Sequence, residues 1–445
     1  MLGIVVSRGD AASVHVGEHL LALADWTATE DDARPDAEGG GTVYRLPDAE
    51  LREFDALHLD LDRADEAFDD PDLLAFASRH SGDTGPLLTA HHTGNFGEAT
   101  YGGEDRAFAR ACPNAHARVL DAFRERAPEG YAVGTECTHH GPTAIETPSM
   151  FVELGSEEAQ WRDPAGARAV AEAILDLRGV APDRERTLVG FGGGHYAPRF
   201  ERVVRETDWA VGHVAADWSL EELGPVRAHP DVIDRAFERS GARHALVEGT
   251  RPHLVEVVED LGYRVVSETW VRATSGVPLD LVERLEDEVA TVEEGLRFGS
   301  RTDVDADEWN DWTVVGLPDE LLAEANGIDR EGVLAAARER SIAVTTAENG
   351  TLFAGRAVVP ARGDRGALVE ALLAVLREKY DEVVREGDAA VAREMAFDPS
   401  LAREAGVPEG PAFGRLADGE AVTVDGERID PAAVRRERER TFRLS

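Results

Sequence analysis

Short apolar runs alternate with helical patterns along the first 275 residues, and this alternation constrains the fold more than any other feature. A β-branched run at residues 3–7 precedes a helical pattern at residues 11–24. Further strands are predicted at residues 42–46, 56–61, 86–92, 131–138, 149–154, 187–191, 209–215, 245–248 and 263–267, with helices at residues 115–126 and 164–178. The pattern predicts an α/β domain whose mixed, largely parallel sheet is covered by helices on both faces. A polar, glycine-rich patch at residues 30–41 predicts an exposed loop.

Acidic side chains dominate the composition. The chain has 87 Asp and Glu residues against 47 Lys and Arg residues, a formal net charge of −40, and Lys379 is its one lysine. Such a surface suits the cytoplasm of a halophile, where concentrated salt screens the repulsion between carboxylates. We therefore interpret the acidity as adaptation to salt, and not as a sign that the protein avoids nucleic acid.

The N-terminal residues and the hydropathy of the sequence predict a soluble protein of the cytoplasm. Residues 1–7 lack a basic region and read as a first strand, not as a signal peptide. No apolar run approaches the roughly 20 residues that a membrane helix needs. Cys112 and Cys137 are too few for a disulfide framework.

Three short motifs hold five of the 14 histidines, each beside glycine. They are His91-His92-Thr93-Gly94-Asn95, Glu136-Cys137-Thr138-His139-His140-Gly141-Pro142 and Gly192-Gly193-Gly194-His195-Tyr196. Each motif lies at or just beyond the C-terminal end of a predicted strand. Ligands bind at that edge of open α/β sheets, so we expect the three motifs to form one site.

The second motif carries several potential metal ligands. If it continues in extended form, either Glu136 and His140 or Cys137 and His139 share a face. Either pair could contribute two ligands, with His91 or His92 and His195 completing the shell. Nitrogen, thiolate and carboxylate donors suit zinc.

A zinc-activated water would be a nucleophile for an ester, and a nearby carboxylate could take its proton. Glu136 and Glu153 are the candidates for that base. The simpler alternative is that the histidines only hydrogen-bond to loop backbones.

The glycine motif and the helix after it suggest substrate contacts. The amides of Gly193 and Gly194 could face a phosphate or a developing oxyanion. Arg199, Arg202 and Arg205 recur every three residues, so they could contact a polynucleotide backbone or form an ordinary solvated helix face.

Residues 276–445 predict an accessory α+β domain that contains no histidine. Its predicted helices span residues 279–296, 318–325, 330–340 and 367–385, its strands residues 342–346 and 351–359, and an acidic connector residues 303–311. Residues 405–416 resemble a segment of the tRNase Z family without the metal-binding histidine motif of that family. The five arginines of residues 435–443 could contact tRNA or form a solvated helix end.

The three motifs, together with Glu153-Leu154-Gly155-Ser156, resemble the archaeal and plant type of D-aminoacyl-tRNA deacylase, in order through residues 1–275. The resemblance implies hydrolysis of the ester between a D-amino acid and the 3′ end of tRNA, with broad side-chain tolerance. It also implies zinc dependence, a monomer, tRNA as partner in place of DNA or membrane, and a fold akin to phosphorylase and peptidyl-tRNA hydrolase domains.

The site residues follow from the motifs and the resemblance together. The expected catalytic residues are Glu136, His140, Glu153 and His92, and the expected metal ligands are His91, His139, His195 and Cys137. The expected substrate-binding residues are Thr93, Asn95, Gly141, Gly193, Gly194, Tyr196, Arg199 and Arg202. A wall near Gly141 and Pro142 is expected to exclude L side chains. The alternatives are a metal-dependent amidohydrolase or peptidase for small acyl substrates, and a zinc-stabilised tRNA-binding protein.

Overall fold

Residues 1–302, 312–360 and 364–444 are described by a computed structural model, in which the chain forms two units, Met1–Ser275 and Gly276–Ser445. The first unit is an α/β structure with a mixed, largely parallel sheet, and the second is α+β, so the predicted fold class is confirmed. Among the described residues, no helix is long and apolar enough to cross a membrane.

An eight-stranded sheet forms the centre of the first unit. Its strands are β1 (Leu2–Ser7), β2 (Thr27–Asp31), β3 (Gly41–Leu46), β4 (Ala49–Phe54), β5 (Leu73–Arg79), β6 (Leu87–His91), β7 (Ala132–Thr135) and β8 (Ser149–Gly155). Their order is β2-β3-β4-β1-β5-β8-β6-β7. Strand β1 runs parallel to β4 and β5, and β5 runs parallel to β8, whereas β6 is antiparallel to β8.

The central strands are covered on both faces, which explains why they read as continuous apolar runs. Ile4 and Val6 enter the core beneath the helices, while Val5 points to the opposite face. There Val5 joins a second cluster that includes Phe76 and Phe151, whose rings stack with centroids 4.9 Å apart.

A four-stranded parallel sheet forms the rest of the first unit. Its strands are β9 (Thr187–Phe191), β10 (Ala210–Ala215), β11 (His244–Val247) and β12 (Arg264–Val266), in the order β10-β9-β11-β12. The helices of the unit are α1 (Ala11–Leu23), α2 (Pro113–Arg126), α3 (Glu158–Trp161), α4 (Pro164–Leu175), α5 (Pro198–Glu206), α6 (Asp217–Leu223), α7 (Pro230–Ser240), α8 (Pro252–Asp260) and α9 (Glu268–Thr274). Asp163 caps α4 as predicted, by accepting a hydrogen bond from the Ala165 amide.

Two predictions for the first unit are wrong in detail. Residues 56–61 form no strand but contain a 3₁₀ turn at His58–Asp60, and the strand beside β1 is β4. Strand β4 was not predicted because it contains charged residues, which are typical of a surface. Glu50 and Arg52 are nevertheless both buried there and pair at 2.6 Å. The predicted loop at residues 30–41 overlaps β2, which pairs with β3.

The second unit combines three antiparallel sheets with helices. Its strands are β13 (Leu296–Phe298), β14 (Thr313–Gly316), β15 (Ala343–Ala347), β16 (Leu352–Val359), β17 (Glu382–Glu386), β18 (Ala389–Phe397), β19 (Val422–Val424), β20 (Glu427–Ile429) and β21 (Arg435–Arg443). Its helices are α10 (Leu279–Glu288), α11 (Asp319–Ile328), α12 (Arg330–Arg340), α13 (Asp364–Leu376), α14 (Pro399–Glu404) and α15 (Pro411–Ala417).

Three helical predictions for the second unit need correction, and the predicted connector at residues 303–311 lies outside the described residues. Helix α10 ends at Glu288 and α13 at Leu376, short of the predicted ends, because a strand follows each of them. The basic stretch is not a helix end but strand β21, paired along its length with β18. Two of its arginines form ion pairs within the protein, Arg436 with Asp398 and Arg440 with Glu324.

Candidate active site

The three histidine motifs follow strands β6, β7 and β9, as the strand-end argument predicted. Side chains from two of the motifs line a cleft of about 490 Å³ in the first unit. The cleft is also lined by residues that the motifs do not include, among them His80, Glu153, Phe151 and Tyr101. The sheet edge therefore gathers histidine and carboxylate side chains from distant parts of the chain.

Three imidazoles form the centre of the site. His91, His139 and His140 each offer one ligand atom, and these atoms lie within 4.8 Å of one another. Each ring donates its Nδ1 proton to a backbone carbonyl: His91 to His92 at 3.1 Å, His139 to Cys137 at 2.8 Å and His140 to Gly141 at 2.7 Å. The Nε2 atom of each ring is therefore the nitrogen available to a ligand, as in metal sites whose imidazoles are oriented from the far side.

The backbone at His140 has an unusual conformation. Its φ angle is +46°, a left-handed conformation that side chains other than glycine rarely adopt. Residues held in this region are often found at functional sites, where the surrounding structure fixes them. Here the His140 carbonyl accepts a hydrogen bond from the Gly94 amide at 2.9 Å, which ties the first motif to the second.

Glu136 lies beside the three imidazoles, with a side chain only 1% exposed. Its Oε2 accepts a hydrogen bond from His195 Nε2 at 2.7 Å and lies 3.7 Å from His139 Nε2. Burial disfavours ionisation of this carboxyl, but His195 and His80 outweigh burial and hold its pKa well below the usual range. Glu136 is therefore a buried carboxylate.

Glu153 is a second buried carboxylate, and His80 stands between it and Glu136. His80 Nδ1 is 3.3 Å from Glu136 Oε1 and 3.6 Å from Glu153 Oε2, while its Nε2 is 3.2 Å from the Tyr196 hydroxyl. Burial lowers the pKa of His80, but the two carboxylates outweigh it and raise the pKa to about 10. The resulting imidazolium compensates the charge of two acids that would otherwise repel each other.

The protonation of two of the three imidazoles suits metal binding. Burial lowers the pKa of His139 to about 4 and that of His140 well below its ordinary value, so both rings are neutral. Burial acts on His91 in the same direction, but the Glu153 carboxylate outweighs it and raises the pKa. A proton and a metal ion would therefore compete for His91 Nε2, which has no hydrogen-bond partner among the described residues.

Cys137, His139 and His195 form a second group of potential ligands, which shares His139 with the first. His195 Nδ1 lies 3.5 Å from the Cys137 sulfur, and its Nε2 is engaged with Glu136. Burial raises the pKa of the Cys137 thiol to about 12, which disfavours the thiolate that zinc prefers. The three-histidine group therefore fits a metal ion better.

The chain resembles proteins of one named family over its whole length. It is 56% identical to the D-aminoacyl-tRNA deacylase of Haloarcula marismortui and 57% identical to that of Natronomonas pharaonis, covering at least 99% of both chains in each comparison. The family model for D-aminoacyl-tRNA deacylase matches residues 67–266. The chain belongs to the D-aminoacyl-tRNA deacylase family. It is thus a hydrolase of ester bonds and a halophilic archaeal member of that family, as the resemblance of the motifs and the acidic composition predicted.

The solved structure of a conserved protein of unknown function shares the fold. It is 29% identical to this chain with a TM-score of 0.55, and the match covers 96% of that protein and 61% of this one.

His92 lies away from the cleft of this deacylase-family chain. Its Nδ1 donates to the Gly212 carbonyl at 3.1 Å, and its ring contacts His116 and His213, with ring centroids 5.0 Å and 5.8 Å away. Burial lowers its pKa well below the ordinary value. The position indicates a packing role for His92 in place of the expected acid–base role, because neighbouring residues on a strand point to opposite faces.

Three expected substrate-binding residues do not line the cleft, and two of them hold the backbone around the site. Thr93 is only 1% exposed, and Asn95 donates from Nδ2 to the carbonyls of Gly102 and Glu104, at 3.0 Å and 3.1 Å. Gly141 is pressed against the neighbouring loop, where an added Cβ would lie 2.3 Å from the Gly103 nitrogen. Tyr196, in contrast, lines the cleft as expected.

The glycine motif does not supply the expected oxyanion site at Gly193. The Gly193 amide donates to Asp217 Oδ1 at 2.7 Å, and neither Gly193 nor Gly194 lines the cleft. The expected phosphate contacts are also engaged within the protein, because Arg199 and Arg202 both bind the carboxylate of Glu268.

His80 is the residue of the site that the motifs did not reveal. It follows β5 directly, as the three motifs follow their strands, and the strand-end criterion applied to every histidine would have included it. Its sequence signal is weaker because no second histidine lies beside it, although Gly82 follows it two residues later, as Gly94 follows His92.

Proposed function

We propose that this chain hydrolyses the ester that joins a D-amino acid to the 3′-terminal ribose of tRNA, using zinc held by His91, His139 and His140. The relatives named D-aminoacyl-tRNA deacylase support the substrate. The observation that carries the chemistry is the buried Glu136 carboxylate beside three imidazoles whose Nδ1 protons are all held by backbone carbonyls.

The residues present fit a zinc ion. His91 Nε2 is buried, and no described residue lies within hydrogen-bond distance of it, the Glu153 carboxylate being 3.6 Å away. Three imidazoles with an open fourth position are a known catalytic zinc set. Bound zinc would supply Lewis-acid activation of water at neutral pH. Everything else in the reaction falls to the protein's own side chains.

Glu136 is placed to act as the general base. As an ionised, water-excluded carboxylate it can accept a proton from the attacking water, a role that commonly contributes about 10²–10⁴-fold to the rate. His80 contacts the other oxygen of this carboxylate, Oε1, and Glu153 in turn contacts His80, which restrains the orientation of Glu136.

His195 is placed to return the proton. Its Nε2 shares a hydrogen bond with Glu136 Oε2, and its side chain is 32% exposed in the cleft. When the bond between the carbonyl carbon and the ribose oxygen breaks, the leaving oxygen needs one proton. We assign that transfer to His195, so that water adds to the acyl carbon and the ribose leaves as an alcohol.

We further infer that the enzyme acts as a monomer in the cytoplasm, on tRNA and not on DNA, and that residues 276–445 help to dock the tRNA. The cytoplasm is where its charged substrate is formed. Strand β21 carries the five arginines that support the docking role.

The test compares hydrolysis of matched D- and L-aminoacyl-tRNA in concentrated KCl, before and after removal of metal and after zinc is restored. The proposal expects rapid, D-selective hydrolysis that is lost with the metal and recovered with zinc. Hydrolysis of D-aminoacyl esters or D-peptides without activity on tRNA would instead indicate a small-substrate hydrolase. Tight tRNA binding by folded, zinc-loaded protein with no turnover would indicate a binding protein.

A further inference from the structure

Tyr101 is a large aromatic side chain left exposed at the cleft. Its exposed fraction is 69%, the highest among the exposed large apolar side chains of the described residues. It lines the same cleft as Glu136, His139 and His140. An exposed aromatic ring that lines a cleft offers a nucleic-acid base a face on which to stack.

The backbone that carries this ring is firmly held. The Tyr101 carbonyl accepts a hydrogen bond from the Gly141 amide at 2.9 Å, directly after His140. The next carbonyl, of Gly102, accepts from Asn95 Nδ2 at 3.0 Å, and Gly102 is packed so closely that a Cβ would lie 2.2 Å from the Leu59 carbonyl oxygen. The ring therefore projects from a fixed support tied to the imidazoles of the site.

Few charged contacts are available to hold an RNA at this site, because Arg79 is the one arginine among the described residues that line the cleft. The arginines expected to meet phosphate, Arg199 and Arg202, are already paired with Glu268. The protein carries a net charge of −40, and in molar salt phosphate contacts lose affinity steeply. Stacking of a base on an aromatic ring does not depend on counterion release, and it is worth about 1–3 kcal/mol per base.

We propose that Tyr101 is the stacking platform for the adenine at the 3′ end of tRNA, an inference that rests on the proposed function. The terminal adenine is the same in every substrate, whereas the D-amino acid side chain varies. A contact to the base would therefore bind all substrates alike and place the ester next to the histidines.

Steady-state kinetics in concentrated KCl would test the role of the ring. Tyr101→Ala should raise KM for D-aminoacyl-tRNA about 5- to 150-fold, the equivalent of one lost stacking contact, with kcat changed less than about twofold. Tyr101→Phe should keep KM within about twofold of wild type, because the ring face is retained. The control Val14→Ala, which truncates another exposed apolar side chain outside the cleft, should leave both constants unchanged.

A second readout needs no hydrolysis. An uncharged RNA minihelix ending in 2-aminopurine should lose fluorescence on binding to wild type and Tyr101→Phe, because stacking quenches this base, and should lose far less on binding to Tyr101→Ala. An unchanged KM for Tyr101→Ala, equal quenching by all three proteins, or a rise in KM for Tyr101→Phe as large as that for Tyr101→Ala would overturn the stacking role. If wild type fails to hydrolyse the charged tRNA, the proposed function fails, and the quenching still decides whether Tyr101 stacks.

Discussion

Protonation of His213 should destabilise the first unit as the pH falls. This imidazole is completely buried within β10, where Nε2 donates to the Ala109 carbonyl at 3.0 Å and Nδ1 accepts from the Thr138 hydroxyl at 3.1 Å. The bond at Nδ1 requires the neutral ring, because both nitrogens of a protonated imidazole are donors. Burial lowers its pKa from 6.5 to about 3, against the opposing effect of the Ala109 carbonyl and with a further contribution from the charge of Arg239.

The sign follows from proton linkage. The unfolded chain takes up a proton at this residue below pH 6.5, while the folded protein does so only near pH 3, so stability is present above pH 6.5 and falls as the pH drops below it. At about pH 5, this one group shifts the folding equilibrium roughly 30-fold toward the unfolded state. The free energy of unfolding is then lower by about 2 kcal/mol than at high pH.

The assay is urea unfolding in concentrated KCl from about pH 8 to about pH 5, followed by fluorescence of the buried Trp209 and Trp270. His213→Gln should be less stable than wild type at the higher pH, because it disturbs two buried hydrogen bonds, yet should lose about 2 kcal/mol less on acidification. The control His253→Gln replaces a ring that is 63% exposed and should follow wild type. An equal acid loss in wild type and His213→Gln would refute the reasoning.

Three further predictions concern the site and its supports. His140→Ala should lose bound zinc, measured by atomic emission. The control His92→Asn can keep the hydrogen bond to the Gly212 carbonyl and should bind zinc as wild type does. Zinc retained by His140→Ala would contradict the assignment of His140 as a ligand. Gly141→Ala should lower stability by about 1–3 kcal/mol in thermal unfolding, because its Cβ would meet the Gly103 nitrogen, whereas Gly327→Ala, in open space on a helix, should be neutral or stabilising. Glu268→Gln should lower the free energy of unfolding by about 1–3 kcal/mol at neutral pH, because it removes the carboxylate that Arg199, Arg202 and Arg272 share. The loss should shrink as the pH falls toward about 2, where burial is outweighed by hydrogen bonds from Arg202 and Arg272 that hold the pKa of this carboxyl.

Strands with uniformly apolar residues could be predicted from the sequence, because their period and turn residues are local signals. Strand β9 and its glycine turn are an example, confirmed at residues 187–191. Strand β4 could not be predicted, because Glu50 and Arg52 resemble surface residues until their mutual ion pair is known. A buried ion pair is a long-range fact that no local pattern contains.

In the candidate site too, local sequence signals could be recognised and long-range contacts could not. The motifs identified the sheet edge and most of the imidazoles, since glycine and histidine after a strand are local signals. They could not tell that His92 points away from His91, that Asp217 occupies the Gly193 amide, or that His80 joins two carboxylates from β8 and the second motif. Each of these depends on a partner far away in the chain.

The most direct test of the account is the rate of D-aminoacyl-tRNA hydrolysis by Glu136→Gln, measured beside wild type with the zinc content of both proteins. The account predicts a loss in kcat of about 100-fold or more with the zinc retained, because the base is removed while the three imidazoles stay in place. A Glu136→Gln enzyme that binds zinc and still hydrolyses the D-substrate at the wild-type rate would contradict the assignment of this cleft as the active site.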